Sequence, residues 1–200
     1  MRNLFKILFV TLLFVGCKTD NKVKDDASHQ QHQMKKTEVT KKKALSPHTS
    51  TMAMIGAAHI HVDYSSPGVR GRIIFGGLLA YDMVWQAGAH KATWLETNKA
   101  LSIAGKVLPA GKYGFFVIPS KNEWTLIFNR NWDQHGKDDY DMKEDVLRFK
   151  VTPQVLEEVQ EHLEYKITKT SDASGTFSLS WEKVSVTFPF KVNKQKNNNN

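Results

Sequence analysis

The 200-residue chain carries 28 Lys and Arg against 20 Asp and Glu, a formal net charge of +8, and its single cysteine excludes intrachain disulfides and cysteine-rich zinc sites. The basic excess lies near the two ends, because residues 44–190 contain 15 basic and 16 acidic residues. A near-neutral folded part argues against a nucleic-acid-binding domain, which would concentrate positive charge on one face.

The first 17 residues, MRNLFKILFVTLLFVGC, have the pattern of a secretory signal. A basic start precedes an apolar stretch from Ile7 to Val15 that is too short to cross a bilayer as a helix. The closing FVGC resembles a bacterial lipobox, whose cysteine becomes the lipidated first residue of the mature chain. We therefore predict a signal peptide over residues 1–16 and lipidation of Cys17, which would anchor the protein to the lipid bilayer of the cell envelope, on a periplasmic or surface face. An ordinary signal peptide with a chance cysteine is the alternative.

Residues 17–45 form a lysine-rich segment with few apolar residues and no aromatic ones, which predicts a disordered tether. Within the tether, HQQHQM contains His29, His32 and Met34, and imidazole and thioether groups suit copper. A polar linker with incidental histidines is the alternative interpretation of this segment.

From residue 46 onward, short apolar runs alternate with turn residues such as Gly, Pro, Asn and Asp. Many short strands at close spacing indicate an all-β domain, and we predict a barrel-like antiparallel β-sandwich over residues 46–190 with a disordered tail at 191–200. At most one short helix is expected, near residues 153–161, where apolar residues recur three to four positions apart. The predicted strands cover residues 57–64, 92–96, 101–103, 113–119, 124–128, 146–151, 163–168, 176–181 and 184–190.

Two of these strands also predict which residues are buried. In TFSLSW, the alternation of apolar and polar residues places Phe177, Leu179 and Trp181 on the core side. The run GFFVIP is apolar throughout, which predicts a central strand covered on both faces.

The run AHIHVDY places His59, His61 and Asp63 at every second position. On a strand these three side chains share one face, and imidazoles at this spacing can converge on a metal ion about 2 Å from each nitrogen. Met52 and Met54 precede them at the same spacing and would add affinity for copper(I), although methionine is commonly core filling.

His90, in the loop GAH, and His135, in NWDQHGKDDYD, are candidates to complete a site with His59, His61 and Asp63. Histidine-rich ligation without cysteine suits copper or zinc, so we expect one of these metals as the cofactor. A polar, solvated strand face is the alternative.

Arg70 and Arg72 flank Gly71, and on a strand their guanidinium groups would share a face able to bind a carboxylate or phosphate. The alternative is an ion pair with the acidic loop at residues 133–145. Tryptophans could also supply a sugar-stacking platform, although most tryptophans of a sandwich lie in its core. Nucleophile elbows, phosphate-binding glycine loops and HExxH motifs are absent from the sequence, so no catalytic residue is assigned and a binding role is favoured over an enzyme.

Several long motifs resemble the domain of unknown function 2911 family of exported or lipid-anchored bacterial proteins. They are HIHVDYSSPGVRGRIIFGGLLAYDMVWQAGAHKATWLE, IAGKVLPAGKYGFFVIPSKNEWTLIFN, DVLRFKVTP and SLSWEKVSVTFPF, and the resemblance covers residues 46–190. The resemblance implies no known reaction. The chain departs from the family pattern at Ser66, Gln86, His90 and Lys91, where the family commonly has Arg, Arg, Asn and Glu, so an anion or sugar bound through those residues would not be bound alike here.

The sequence therefore predicts a lipid-anchored envelope protein that binds copper or zinc through strand and loop histidines. A glycan-binding or small-molecule-binding module and a structural envelope protein without a ligand are the alternatives.

Overall fold

Two antiparallel β-sheets share a core in the computed structural model, which describes residues 44–193. The predicted signal peptide, Cys17, the tether histidines and most of the predicted tail lie outside the described residues. Within that range the strands are β1 His48–Ile55, β2 Ala58–Ser65, β3 Trp94–Thr97, β4 Leu101–Ile103, β5 Lys106–Leu108, β6 Gly111–Ile118, β7 Trp124–Asn129, β8 Asp145–Val151, β9 Gln154–Ser171 and β10 Ser174–Val192, with a 3-10 turn at Met142–Glu144. No helix in this part of the chain is long and apolar enough to cross a membrane.

One sheet has six strands in the order β1-β2-β3-β6-β7-β8, and the other has four in the order β5-β4-β10-β9. Neighbouring strands pair antiparallel throughout both sheets. The predicted antiparallel sandwich is therefore confirmed, and its two sheets are not closed into a barrel.

Residues 153–161 do not form a helix, because β9 begins at Gln154 and Val155 pairs with Val184 of β10. The apolar residues that indicated a helix lie largely in solvent, with Val155 84% and Val159 49% exposed. A helix in a protein is stabilised mainly by packing its apolar face against other residues, and these side chains have no such packing. Pairing with the long strand β10 therefore prevails over the short helical periodicity.

The strands predicted at 176–181 and 184–190 are one strand, β10. Glu182 has a φ of 55°, and the register with β9 shifts on both sides of it. An irregularity of this kind bends a strand without ending it. The two predicted strands are therefore the two arms of one bent strand.

The core forms as the alternation predicts. Phe177, Leu179 and Trp181 are each at most 2% exposed and belong to the main hydrophobic cluster between the sheets. In β6, Phe115 faces this cluster, whereas Phe116 packs with Ala92 and Ile127 in a second cluster on the opposite face of the sheet. The prediction that this strand is covered on both faces is confirmed.

Candidate functional site

The outward face of β2 carries the histidines that the sequence singles out. The strand alternates between buried and half-buried residues, so His59, His61 and Asp63 lie on the outer side, while Ile60 and Val62 lie in the core. The rings of His59 and His61 are neighbours, with centroids 6.3 Å apart and planes inclined at 46°.

Strand β1 places a methionine directly opposite each of these histidines. Met54 pairs with His59 and Met52 with His61, so all four side chains lie on the same face of the sheet. Met52 is 61% and Met54 59% exposed, so neither fills the core. We call Met52, Met54, His59 and His61 the Met–His face.

A tight turn fixes this register. β1 and β2 are joined only by Gly56 and Ala57, and the ladder runs without a shift from Ile55–Ala58 to its far end. Gly56 has a φ of 57°, which glycine adopts without strain, and a Cβ there would lie 2.7 Å from the carbonyl oxygen of Asp172. The loop conformation therefore aligns the methionines with the histidines.

His61 is half-buried, and its Nε2 is inaccessible to solvent with no hydrogen-bond partner among the described residues. Its ring meets Trp94 edge to face, with centroids 5.0 Å apart and planes at 84°. A buried polar atom without a partner is uncommon in folded proteins and calls for a physical explanation. A bound ligand could supply one only after the ring turned to expose this nitrogen.

Residues on or near the neighbouring strands β3 and β6 contact His59 and Trp94. The amide of His59 donates to Oδ1 of Asn98 across 2.8 Å, and the amide of Asn98 donates to the carbonyl of His59 across 3.3 Å. The ammonium group of Lys112 lies 3.5 Å from the ring centre of Trp94 and 3.6 Å from that of Trp132. The site therefore adjoins an ordered aromatic and cationic surface.

Asp63 is engaged by a neighbour on β1. Oδ1 of Asp63 lies 2.9 Å from Nε2 of His48, and the carboxylate side chain is 21% exposed against 69% for the histidine. The carboxylate therefore already has a partner at the end of the Met–His face.

The loop histidines lie elsewhere. The amide of Ala89 donates to the carbonyl of Ser65, at the end of β2 and about 13 Å along the strand from His61. The adjacent His90 accepts a hydrogen bond from the Gly136 amide through its carbonyl.

His135 adjoins the loop of His90 and pairs with the carboxylate of Asp138, Nδ1 to Oδ2 3.2 Å. Both of these side chains are largely exposed. Across residues 44–193, no three His, Cys, Asp or Glu side chains form a group that could hold a metal ion. The predicted ligands are thus divided between the strand pair and this separate loop cluster.

Arg70 and Arg72 do not share a strand face, because Arg70 lies in a turn with a φ of 52°. The guanidinium group of Arg72 donates to the carbonyls of Val69 and Gly68, at 3.0 and 2.7 Å. The Arg70 amide donates to Oε1 of Glu161 across 2.9 Å. These contacts stabilise the turn against β9.

The tryptophans divide into two groups. Three are at most 4% exposed and form part of the core, whereas two are half-buried on the outer face beside the Met–His face. The core members are Trp85, Trp124 and Trp181, and the outer members are Trp94 and Trp132.

The pairing of the methionines with the histidines across two strands was not predicted from the sequence. A signal was present in MAMIGAAHIH, where two runs of period two flank a glycine-containing pair, which is typical of a two-residue hairpin. The contacts of Trp94 and Lys112 had no such local signal, because Lys112 lies on β6.

Comparison with known proteins identifies the family. No curated protein and no solved structure shows a significant match to the chain. A family profile described as a protein of unknown function, DUF2911, matches residues 46–190, which include nearly all of both sheets. The chain therefore belongs to the DUF2911 family.

Proposed function

We propose that this protein binds a transition metal ion, copper or zinc, on the Met–His face. The observation that carries the proposal is the arrangement of donors: two imidazole rings 6.3 Å apart on an outer sheet face, each with a thioether directly opposite. Imidazole nitrogen and thioether sulfur are both ligands for transition metals.

The scaffold favours a defined site. The Met–His face is built on two strands with an uninterrupted register, and β3 pairs with the other edge of β2. Donors carried by paired strands are held more precisely than donors on loops. The unpartnered Nε2 of His61 adds a nitrogen whose hydrogen-bonding capacity the described residues leave unused.

The other predicted ligands have different roles in this proposal. Asp63, paired with His48, contributes charge at the edge of the site. His90 and His135 are left out, because their loops pair with each other and the backbone of the His90 loop is tied to the far end of β2.

The test is metal binding by the purified protein, stripped of metal and carrying no histidine tag. Cu(I) is titrated without oxygen against a chromophoric chelator, and Cu(II) and Zn(II) are titrated by calorimetry. We expect about one ion of at least one of these metals to bind, and His59→Gln with His61→Gln to abolish binding. The matched control is His135→Gln with His162→Gln, which should bind as the unmodified protein does. Absence of binding for all three metals in the unmodified protein would end the proposal.

We also propose that the protein is lipidated at Cys17 and anchored in the cell envelope, with residues 18–45 as a tether. The support is the order of a basic start, an apolar stretch and FVGC in the sequence. Mass spectrometry of the N-terminal peptide should find acyl chains on Cys17, and Cys17→Ala should move the protein out of the membrane fraction. An unmodified Cys17 in membrane-bound protein would contradict this.

A glycan-binding module is the second candidate. The half-buried Trp94 and Trp132, on the outer face, favour it, because sugar rings stack on exposed indoles. Lys112 already lies over both rings and would have to move. Thermal stabilisation by oligosaccharides that is unaffected by chelators would support this candidate over metal binding.

A further inference from the structure

We infer that the metal of the Met–His face is a soft monovalent ion, Cu(I) or Ag(I), selected by the thioethers of Met52 and Met54. The inference rests on the proposed metal-binding function and adds the charge and class of the ion.

The thioethers are placed to be ligands. Residues directly opposite on antiparallel strands have Cβ atoms about 4.5–5.5 Å apart, so each sulfur is within reach of an ion held by the facing histidine. Methionine has three rotatable bonds and adapts its sulfur position easily. With Met52 and Met54 61% and 59% exposed, little packing has to be broken for their side chains to turn toward an ion.

The chemistry of these donors separates the candidate metals. Thioethers are soft, neutral ligands that select Cu(I), whereas carboxylates suit hard ions and imidazole serves many metals. Two histidines alone leave a zinc ion short of the three or four protein ligands that it usually takes. The sulfur atoms opposite His59 and His61 raise the number of donors to four, and the added pair is soft.

The charge of the four donors also favours a monovalent ion. Neutral imidazoles and thioethers bring no negative charge, and the carboxylate of Asp63 is paired with His48 at 2.9 Å. Glu96 lies directly opposite His61 on β3, and the oppositely charged Lys112 lies directly opposite Glu96 on β6. A divalent ion held by these four neutral donors alone would lose hydration without a carboxylate among its ligands.

The experiment compares metals in a variant that loses only the sulfurs. Met52→Leu with Met54→Leu keeps the side-chain volume nearly constant at exposed positions, so the fold should be retained, as circular dichroism will verify. The matched control is Met83→Leu with Met142→Leu, at methionines 54% and 63% exposed in other parts of the surface. Cu(I) and Ag(I) are titrated without oxygen by chelator competition, and Zn(II) and Cu(II) by calorimetry.

We expect the Met52/Met54 variant to lose at least tenfold in affinity for Cu(I) and Ag(I), while the control variant is unchanged. Methyl resonances of Met52 and Met54 should shift when Ag(I) is added to protein labelled at the methionine methyl groups. Unchanged Cu(I) affinity in the Met52/Met54 variant, or an equal loss for Zn(II), would overturn the inference and leave the proposed function standing. Failure of the unmodified protein to bind any of the four metals would remove both.

Discussion

The ammonium group of Lys112 lies over the indole of Trp94, 3.5 Å from the ring centre, and 3.6 Å from the ring centre of Trp132. The Trp94 ring in turn meets the His61 ring edge to face, with centroids 5.0 Å apart. Trp94 therefore connects the Met–His face to the cluster formed by Lys112, Trp94 and Trp132.

Replacing Lys112 with methionine should lower the free energy of unfolding by about 0.5–1 kcal/mol for each of the two cation–aromatic interactions that the substitution removes. Methionine retains much of the aliphatic packing, so the change reports chiefly on charge. Urea denaturation measures the stability. The control is Lys106→Met, whose ammonium, within residues 44–193, makes a single 3.4 Å hydrogen bond, to the Arg148 carbonyl. Equal effects of the two substitutions would contradict the role assigned to the indoles.

Binding of a soft ion should stabilise the fold. A ligand that binds only the folded state adds about 2.7 kcal/mol at a free concentration 100 times its dissociation constant. Addition of Ag(I) should therefore raise the midpoint of thermal unfolding, and a competing thiol chelator should reverse the shift. In the Met52→Leu, Met54→Leu variant, the shift at the same Ag(I) concentration should be much smaller.

Asp145 should contribute strongly to the free energy of unfolding, because its carboxylate side chain is 5% exposed and has three partners. It accepts from Nδ2 of Asn129 at 2.8 Å and from the hydroxyl of Tyr140 at 3.0 Å, and pairs with Arg148 at 3.2 Å. Asp145→Ala leaves these donors without their acceptor and should cost about 1–3 kcal/mol in urea denaturation.

Asp133→Ala is the control for Asp145→Ala. The carboxylate of Asp133 is 64% exposed and pairs with the exposed Lys91, so the expected cost is below about 1 kcal/mol. A comparable loss in the two variants would show that burial of the Asp145 carboxylate is not what matters.

Alkaline pH should destabilise the fold through two tyrosines, the partly buried Tyr140 and the buried Tyr165. Burial, followed by the hydrogen bond to Asp145, raises the pKa of Tyr140 to about 12, and burial raises the pKa of Tyr165 well above its usual value. The folded state therefore holds protons that the unfolded chain releases from about pH 10 upward. The free energy of unfolding should fall as pH rises from about 10 to 12.

Tyr140→Phe tests this pH dependence. The variant should be less stable at neutral pH, because Asp145 loses a donor, but its stability should decline less steeply above pH 10. An unchanged slope in denaturant titrations at several pH values would rule out Tyr140 as a contributor.

Gly175→Ala should destabilise the sandwich by overpacking. A Cβ at this position would lie 2.5 Å from Cδ1 of Ile55 and 2.8 Å from the carbonyl oxygen of Thr168. Inserting a methyl group into a filled core typically costs about 1–3 kcal/mol. Ser174→Ala, one position earlier, is the control and should change the urea midpoint little. Equal stability of Gly175→Ala and the unmodified protein would contradict the tight packing between β10 and β1.

The sequence by itself determined the faces of individual strands. The outward row of His59 and His61 and the inward row of Phe177 and Leu179 follow from a period of two, which each strand carries locally. The all-β class follows in the same way from short apolar runs between turn residues. The family membership could also be predicted, because its motifs are long and span residues 46–190.

Only the tertiary structure decided which residues contact these strand faces and where the loops lie. His90 lies where it does because Ala89 bonds to Ser65 and because the Tyr165 hydroxyl donates to the Ala87 carbonyl across 2.5 Å, contacts between residues far apart in the chain. The extended form of residues 153–161 likewise depends on pairing with β10. The match of Met52 and Met54 to the histidines was settled by the register of the β1–β2 hairpin. The contact of His61 with Trp94 was settled by the order of strands in the sheet, because pairing between strands distant in sequence leaves no periodic signal within either strand.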